Sequence, residues 1–176
     1  VKAEYLYETN RFEDAIIQFN LVIAKNPSYK DALIHRGNCK YALAAYKGSQ
    51  MDAAQSIEVN GITANAAALL GRSQAMTGNQ QAAINSLSAA IGLDNNSSDY
   101  YEWRAELYEK KSEMLKACSD YEHAMKLGSK SAAVKAKSLC GITPTRNVPA
   151  QNQGNQPTTQ DQVGSTNTTN QDNGSD

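Results

Sequence analysis

The chain is 176 residues long and 40% hydrophobic, with 17 basic residues against 18 acidic ones. That apolar content excludes wholesale disorder, and a formal net charge of -1 leaves no global field to steer the chain to nucleic acid or an anionic membrane. No apolar run approaches the roughly 18 residues that span a bilayer, and three cysteines are too few for a disulfide scaffold and cannot all pair within one molecule.

Residue 1 is Val rather than Met and a helical pattern begins at once, so the chain reads as a processed or truncated product. A signal or lipid-anchor segment is compatible with that start. The compartment stays open, with a lean toward the bacterial cell envelope, periplasmic or secreted.

Four units then follow in one register with a 34-residue step, spanning 1–29, 30–63, 64–97 and 98–129, the first of them beginning partway into its first helix. Small residues recur at one phase of each first helix: Ala3, Gly37, Gly71 and Ala105. In the second helices stand Ala15, Ser49, Ala83 and Ala117, each followed four residues later by Phe19, Ala53, Leu87 or Tyr121. The unit ends, Lys25-Asn26-Pro27, Val59-Asn60-Gly61, Leu93-Asp94-Asn95 and Leu127-Gly128-Ser129, carry helix-stop chemistry. Two helices of about 12 to 14 residues joined by tight turns fill such a unit, with small residues where helices approach closely. One pair alone exposes too much apolar surface, and stacking four buries it.

Residues 130–140 read as a final amphipathic helix, with Ala132, Ala136, Leu139 and Cys140 facing the array and Lys130, Lys135 and Lys137 facing water. That is the cap a solenoid needs at its open end. The repeat domain is therefore expected over 1–142. Beyond Ile142 the composition breaks: 143–176 holds no aromatic residue and only Val148 and Val163 as branched aliphatics, so this Gln/Asn/Thr-rich stretch is expected to be a disordered tether.

Leu70-Gly71, Ala83-x3-Leu87, Ala90-Ile91, Ala15-x3-Phe19, Pro27, Tyr108, Ala117-x3-Tyr121 and Ala124 together resemble the tetratricopeptide repeat, over Val1 to about Cys140. Ser49 and Ala53 weaken the match in unit two, and Ala67 replaces a bulky residue in unit three. The run from Ala117-Cys118 through Leu127-Gly128 to Leu139-Cys140 also looks like the last repeat and cap of bacterial members. The resemblance implies an all-α fold, a right-handed superhelical solenoid of four helix pairs plus a C-terminal capping helix. It implies a non-enzymatic protein-protein interaction module or assembly scaffold. The alternatives are a helical accessory domain of a larger envelope enzyme or transport complex, or a homotypic assembly module.

In peptide-binding repeats of this kind the first helices line the concave face. The resemblance places Glu4, Tyr7 and Glu8 there from unit one, and Asp31, Ile34, Asn38 and Tyr41 from unit two. Unit three adds Asn65, Ala68, Arg72 and Ala75, and unit four adds Asp99, Glu102, Glu106 and Glu109. Ile34, Ala42 and Ala68 stand where a clamp for acidic chaperone tails needs Lys or Arg, which excludes that activity.

Independently of the resemblance, steps of three, four and three put Asp99, Glu102, Glu106 and Glu109 on one helical face. One reading is a solvated face, with the helix dipole favouring the two acids of the first turn and Arg104 and Lys110 compensating the rest. The other is a surface for a Lys- or Arg-rich segment, with Arg72 taking a carboxylate, Asn38 bonding an extended backbone and a bulky anchor seated by Ala68 and Ala75 beside Tyr41.

No glycine-rich phosphate loop or nucleophile motif is present, so no catalysis and no cofactor are expected. His35 and Cys39 share a face, but two ligands are too few for zinc, and Cys39 sits at a phase where a small buried residue belongs. Cys118 and Cys140 stand about ten and eleven residues on either side of the Gly128-Ser129 turn, so antiparallel packing brings them to nearly one level, within the roughly 7 Å a disulfide requires if both side chains face the shared seam. Sequence favours proximity as seam residues over a bond, and a bond would argue for an oxidising location.

Overall fold

The structure is a computed structural model describing residues 2–29 and 31–142. The reading of 143–176 as a tether lies outside the described residues. Nine helices and no strand occur among the described residues: α1 Lys2–Glu8, α2 Phe12–Lys25, α3 Ala32–Ala42, α4 Tyr46–Asn60, α5 Ala64–Met76, α6 Gln80–Leu93, α7 Ser98–Lys110, α8 Met114–Lys126 and α9 Lys130–Cys140. The helices pair as α1–α2, α3–α4, α5–α6 and α7–α8, and α9 packs on α8. The fold is an all-α solenoid.

The repeat is visible in the backbone itself. Each pair turns through one left-handed residue, Asn10, Ala44, Gly78 or Ser112, with φ of 57°, 58°, 88° and 59°. The residue after each donates its N–H to a carbonyl five positions back: Arg11 to Leu6 at 2.8 Å, Ala45 to Lys40 at 2.8 Å, Asn79 to Gln74 at 2.9 Å and Glu113 to Tyr108 at 2.9 Å. One C-terminal helix stop, built by satisfying an otherwise orphaned carbonyl, is thus used four times.

Between the helices the small residues lie in the seams. Ala15, Ser49, Ala83 and Ala117 are fully buried, as are Ala53, Leu87 and Tyr121 four residues on. A Cβ on Gly71 would stand 2.9 Å from Leu87 Cγ and 3.0 Å from the Ala83 carbonyl oxygen, so α5 and α6 touch backbone to backbone there. On Gly37 it would meet Leu69 Cδ2 at 2.7 Å. The odd helices α1, α3, α5 and α7 contact one another in succession while the even ones make no comparable contact. The array therefore curves with its odd helices inside.

The back of the array carries a polar clamp that repeats at twice the unit step. Arg36 of α3 forks onto Asp52 of α4 (2.6 and 2.9 Å) and donates to Asn20 of α2 (2.8 Å). Arg104 of α7 does the same with Asp120 of α8 (2.7 and 2.8 Å) and Ser88 of α6 (2.9 Å). Each guanidinium ties its own pair to the preceding one, and both carboxylates are buried. Arg104 is therefore not a counter-ion for the acidic stripe of its own helix, as the sequence reading had it. Its hydrogen bond to Asp120 raises the already high guanidinium pKa.

The cap α9 buries Ala132 and Ala136 completely and begins at Ser129, whose side chain accepts from the Ala132 N–H at 3.1 Å. At its far end Cys140 is disulfide-bonded to Cys118 of α8, with 5.7 Å between the Cα atoms, so the two sulfurs expected only to be neighbours are joined. Two other expectations change. Leu139 is 42% exposed, because the alanine seam centres on Ala136 and Leu139 lies about 60° off that line. Lys135 turns from water to Glu109, at 3.1 Å.

The close approach of α5 and α6 yields a sharp contrast between two glycines. Gly71→Ala should cost about 1–3 kcal/mol, since its new methyl meets backbone that cannot yield. Gly92→Ala in α6, where nothing lies within 4 Å, should instead stabilise by about 0.5 kcal/mol through helix propensity. Urea unfolding of both variants checks the opposite signs.

Candidate functional site

The inner face of α1, α3, α5 and α7 forms a groove of three adjoining cavities. The first, about 340 Å³, is lined by Tyr7, Asp31, Ile34, His35, Asn38, Asn65, Ala68, Leu69, Arg72, Tyr100 and Trp103. A second of about 350 Å³ continues past Tyr7, Asn38, Tyr41 and Arg72 to Glu8 and Phe12. A third of about 170 Å³ runs from Tyr41 and Arg72 past Ala75 and Trp103 to Glu106 and Lys110. Arg72 borders all three.

Its guanidinium carbon lies 4.2 Å from the Tyr41 ring centroid and 4.2 Å from that of Trp103. Tyr41 comes from α3 and Trp103 from α7, the helices on either side of α5, so the stack ties three first helices together. Tyr41 is itself braced edge-on by Tyr46 at 5.2 Å. Aromatic rings occupy the faces of the guanidinium and leave its N–H edge for acceptors. Among the described residues no carboxylate forms an ion pair with it.

The other predicted residues are placed as follows. Asn38 lines the first two cavities together with Tyr7. Asn65 is exposed at the groove edge and accepts from the Tyr100 hydroxyl at 2.9 Å. Arg72 lies over the Tyr41 ring, while Ala68 lines the first cavity and Ala75 the third, each with Arg72 and Trp103 in the same wall. Trp103 is the residue that sequence reading missed: it shares a helix with the acidic stripe, but nothing in the repeat pattern aims its ring across to α5.

The acidic stripe divides into two rows. At about 100° per residue, positions seven apart nearly superpose while those three apart diverge by about 60°. Asp99 and Glu106 are solvent-exposed. Glu102 and Glu109 face the cap, where Glu102 accepts from Ser129 at 2.7 Å and from Ser131, and Glu109 accepts from Lys135 and from the buried Tyr121 hydroxyl at 2.7 Å. Desolvation, then Glu102, raises the Glu106 carboxyl, whereas the Tyr121 hydrogen bond first of all holds Glu109 below the ordinary carboxylate value. Burial and Glu109 push the Tyr121 phenol far upward, keeping it a donor.

His35 and Cys39 serve packing. The imidazole stacks on Tyr7 at 5.0 Å and meets the edge of Phe19 at 5.7 Å. Cys39 is fully buried, and burial pushes its thiol up to about 11, so it is inert at neutral pH. His123 stacks on Tyr101 at 5.3 Å, well away from either.

Because the folded-state pKa of Glu109 is depressed, its contribution to stability is present above the ordinary carboxylate value of about 4.3 and is lost as pH falls through the depressed one. Glu109→Gln should thus lower the melting temperature at pH 7, and the gap from wild type should narrow as pH falls below the ordinary carboxylate value. Thermal melts across that range test the sign.

No family model and no curated protein matches the sequence, whereas solved structures do match in fold. The crystal structure of MamA superposes with a TM-score of 0.70 at 22% identity, covering 79% of this chain and 80% of that one. A MamA fragment from Desulfovibrio magneticus RS-1 gives 0.65 at 18% identity over 71% of each chain. YrrB, a TPR protein with an unusual peptide-binding site, gives 0.65 at 16% identity over 79% of this chain and 73% of that one. With the recurring turns and seams, these likenesses establish that the chain has the tetratricopeptide-repeat fold.

Proposed function

We propose that this chain is a non-enzymatic interaction module that takes an extended partner segment along the groove of α1, α3, α5 and α7. The observation that carries the reading is the N–H edge of Arg72, offered at the junction of three cavities with both flanking rings already in place. A guanidinium immobilised before binding loses little entropy on pairing, and its planar edge matches the two oxygens of a carboxylate. An acidic residue of the segment anchors at Arg72, its backbone runs past Asn38, and a basic residue reaches the exposed Glu106 and Asp99. Peptide binding by YrrB on the same fold supports the reading, as does the use of both histidines in ring packing.

The test compares partners captured by the full chain with those captured by Arg72→Lys and Glu106→Lys, each checked for helicity by circular dichroism. Arg72→Lys keeps the charge but loses the fork, and should weaken binding of the segment at least about tenfold, consistent with the 1.5–3 kcal/mol of a charge-assisted hydrogen bond. Wild-type affinity should also fall as salt rises. Unchanged, salt-insensitive binding by both folded variants would contradict the reading.

A further inference from the structure

The first groove cavity is layered in polarity. Asp31 and Asn65 hold one place in successive units, and Asn38 and Arg72 hold another two helical turns on, about 10 Å further along α3 and α5. Between those two levels the floor is hydrocarbon, made by the buried Ile34, Ala68 and Leu69. Tyr7, Tyr100 and Trp103 bring rings to the wall. The cavity therefore has a carboxylate level and a guanidinium level with apolar surface between them.

Asp31 does not serve its own helix. It opens α3 with a left-handed backbone, φ 61°, and its side chain caps no N–H of that helix. Among the described residues it enters no ion pair. Asn65, at the same level on α5, has its amide oxygen oriented by the Tyr100 hydroxyl, which donates to it at 2.9 Å, and that oxygen keeps a second lone pair for a further donor.

We propose that this cavity is a lysine pocket, in which a lysine of the partner segment lays its stem over Ile34, Ala68 and Leu69 and sets its ammonium between the Asp31 carboxylate and the Asn65 amide oxygen. The occupant is argued from complementarity. An apolar floor that ends at a carboxylate matches a side chain with a hydrocarbon stem and a charged head. Acceptors on two different helices suit the rotatable donors of an ammonium better than the planar fork of a guanidinium. Rings in the wall attract an organic cation wherever it meets their faces. From a backbone passing at the level of Asn38, a four-carbon stem and one hydrogen bond cover most of the distance to Asp31. Arg72, about two turns away, is separated from the ammonium by roughly a Debye length, so its repulsion is largely screened.

The pocket rests on the groove reading for the segment that carries the lysine, and it adds a second basic residue to the one at Glu106 and Asp99. Asp31, Arg72 and Glu106 come from the successive inner helices α3, α5 and α7, so the segment alternates basic, acidic and basic. The probe is Nα-acetyl-lysine methylamide, titrated at constant ionic strength into the isotope-labelled full chain and followed by nuclear magnetic resonance. Saturable shifts are expected at the Asp31 and Asn65 amides and the Trp103 indole. Affinity should fall at least about fivefold in Asp31→Asn, which keeps the side-chain size and tolerates the left-handed backbone, and stay within about twofold in Arg72→Gln. The norleucine derivative, with the stem but no charge, should bind wild type at least about fivefold more weakly, a comparison that needs no variant. No saturable shift, binding indifferent to Asp31→Asn, or norleucine binding as well as lysine overturns the pocket. Nα-acetyl-glutamate methylamide reads the Arg72 anchor separately: its failure beside a positive lysine result removes that anchor and leaves the pocket standing.

Discussion

The distance between helix backbones at the small-residue seams governs everything else in this array. At Gly71 the next helix stands so near that one added carbon would lie 2.9 Å from Leu87 Cγ, and Ala15, Ser49, Ala83 and Ala117 hold the equivalent seams with no exposed surface. Such contacts have one depth, so every pair repeats the geometry of the last. Repetition brings α1, α3, α5 and α7 into mutual contact and lines up their inner faces. Larger residues at these seams would splay the helices, and Tyr41, Arg72 and Trp103 would no longer reach one another.

The arginines of the inner helices divide into two kinds. Arg36 and Arg104 point backward into the seams, where each satisfies a buried aspartate and a polar group of the preceding pair. Their pairing is structural: removing Arg104 would strand the buried Asp120 at a cost of about 3–5 kcal/mol, while Asp52 also pairs with Lys40 at 2.8 Å. Unit three has Leu70 at that phase. Its arginine is instead Arg72, two positions along, which brings it to the inner face against rings rather than carboxylates. A shift of two residues on one helix separates a cation used to hold the array from one offered to a partner.

The helix pairs were legible in the sequence because the repeat is a backbone property. Helices starting at Phe12, Tyr46, Gln80 and Met114 keep the 34-residue step, and the buried seam residues sit at the phases where small side chains recur. What escaped depends on long side chains, whose reach is several times the spacing that a pattern encodes. Arg104 lies about 160° from both Glu102 and Glu106 on the helical wheel, and it extends to α8. Trp103 spans to α5, and Lys135 crosses to α7. The division of the acidic stripe into two rows follows from helical geometry, but its consequence was hidden until the cap's position was known. Counting residues from the Gly128-Ser129 turn sets Cys118 and Cys140 level, and only the rotation of both helices about their axes determines whether the sulfurs meet.

Trp103 is the chain's single tryptophan, and it stands in the groove with its ring against Arg72. Its emission therefore reports on the groove without a label. A titration of the full chain with the bound partner segment, followed by tryptophan fluorescence under oxidising conditions, should show a saturable change in emission whose midpoint matches the affinity measured independently. A segment that binds with that affinity and leaves Trp103 emission unaltered would place the interaction elsewhere on the array and contradict the account.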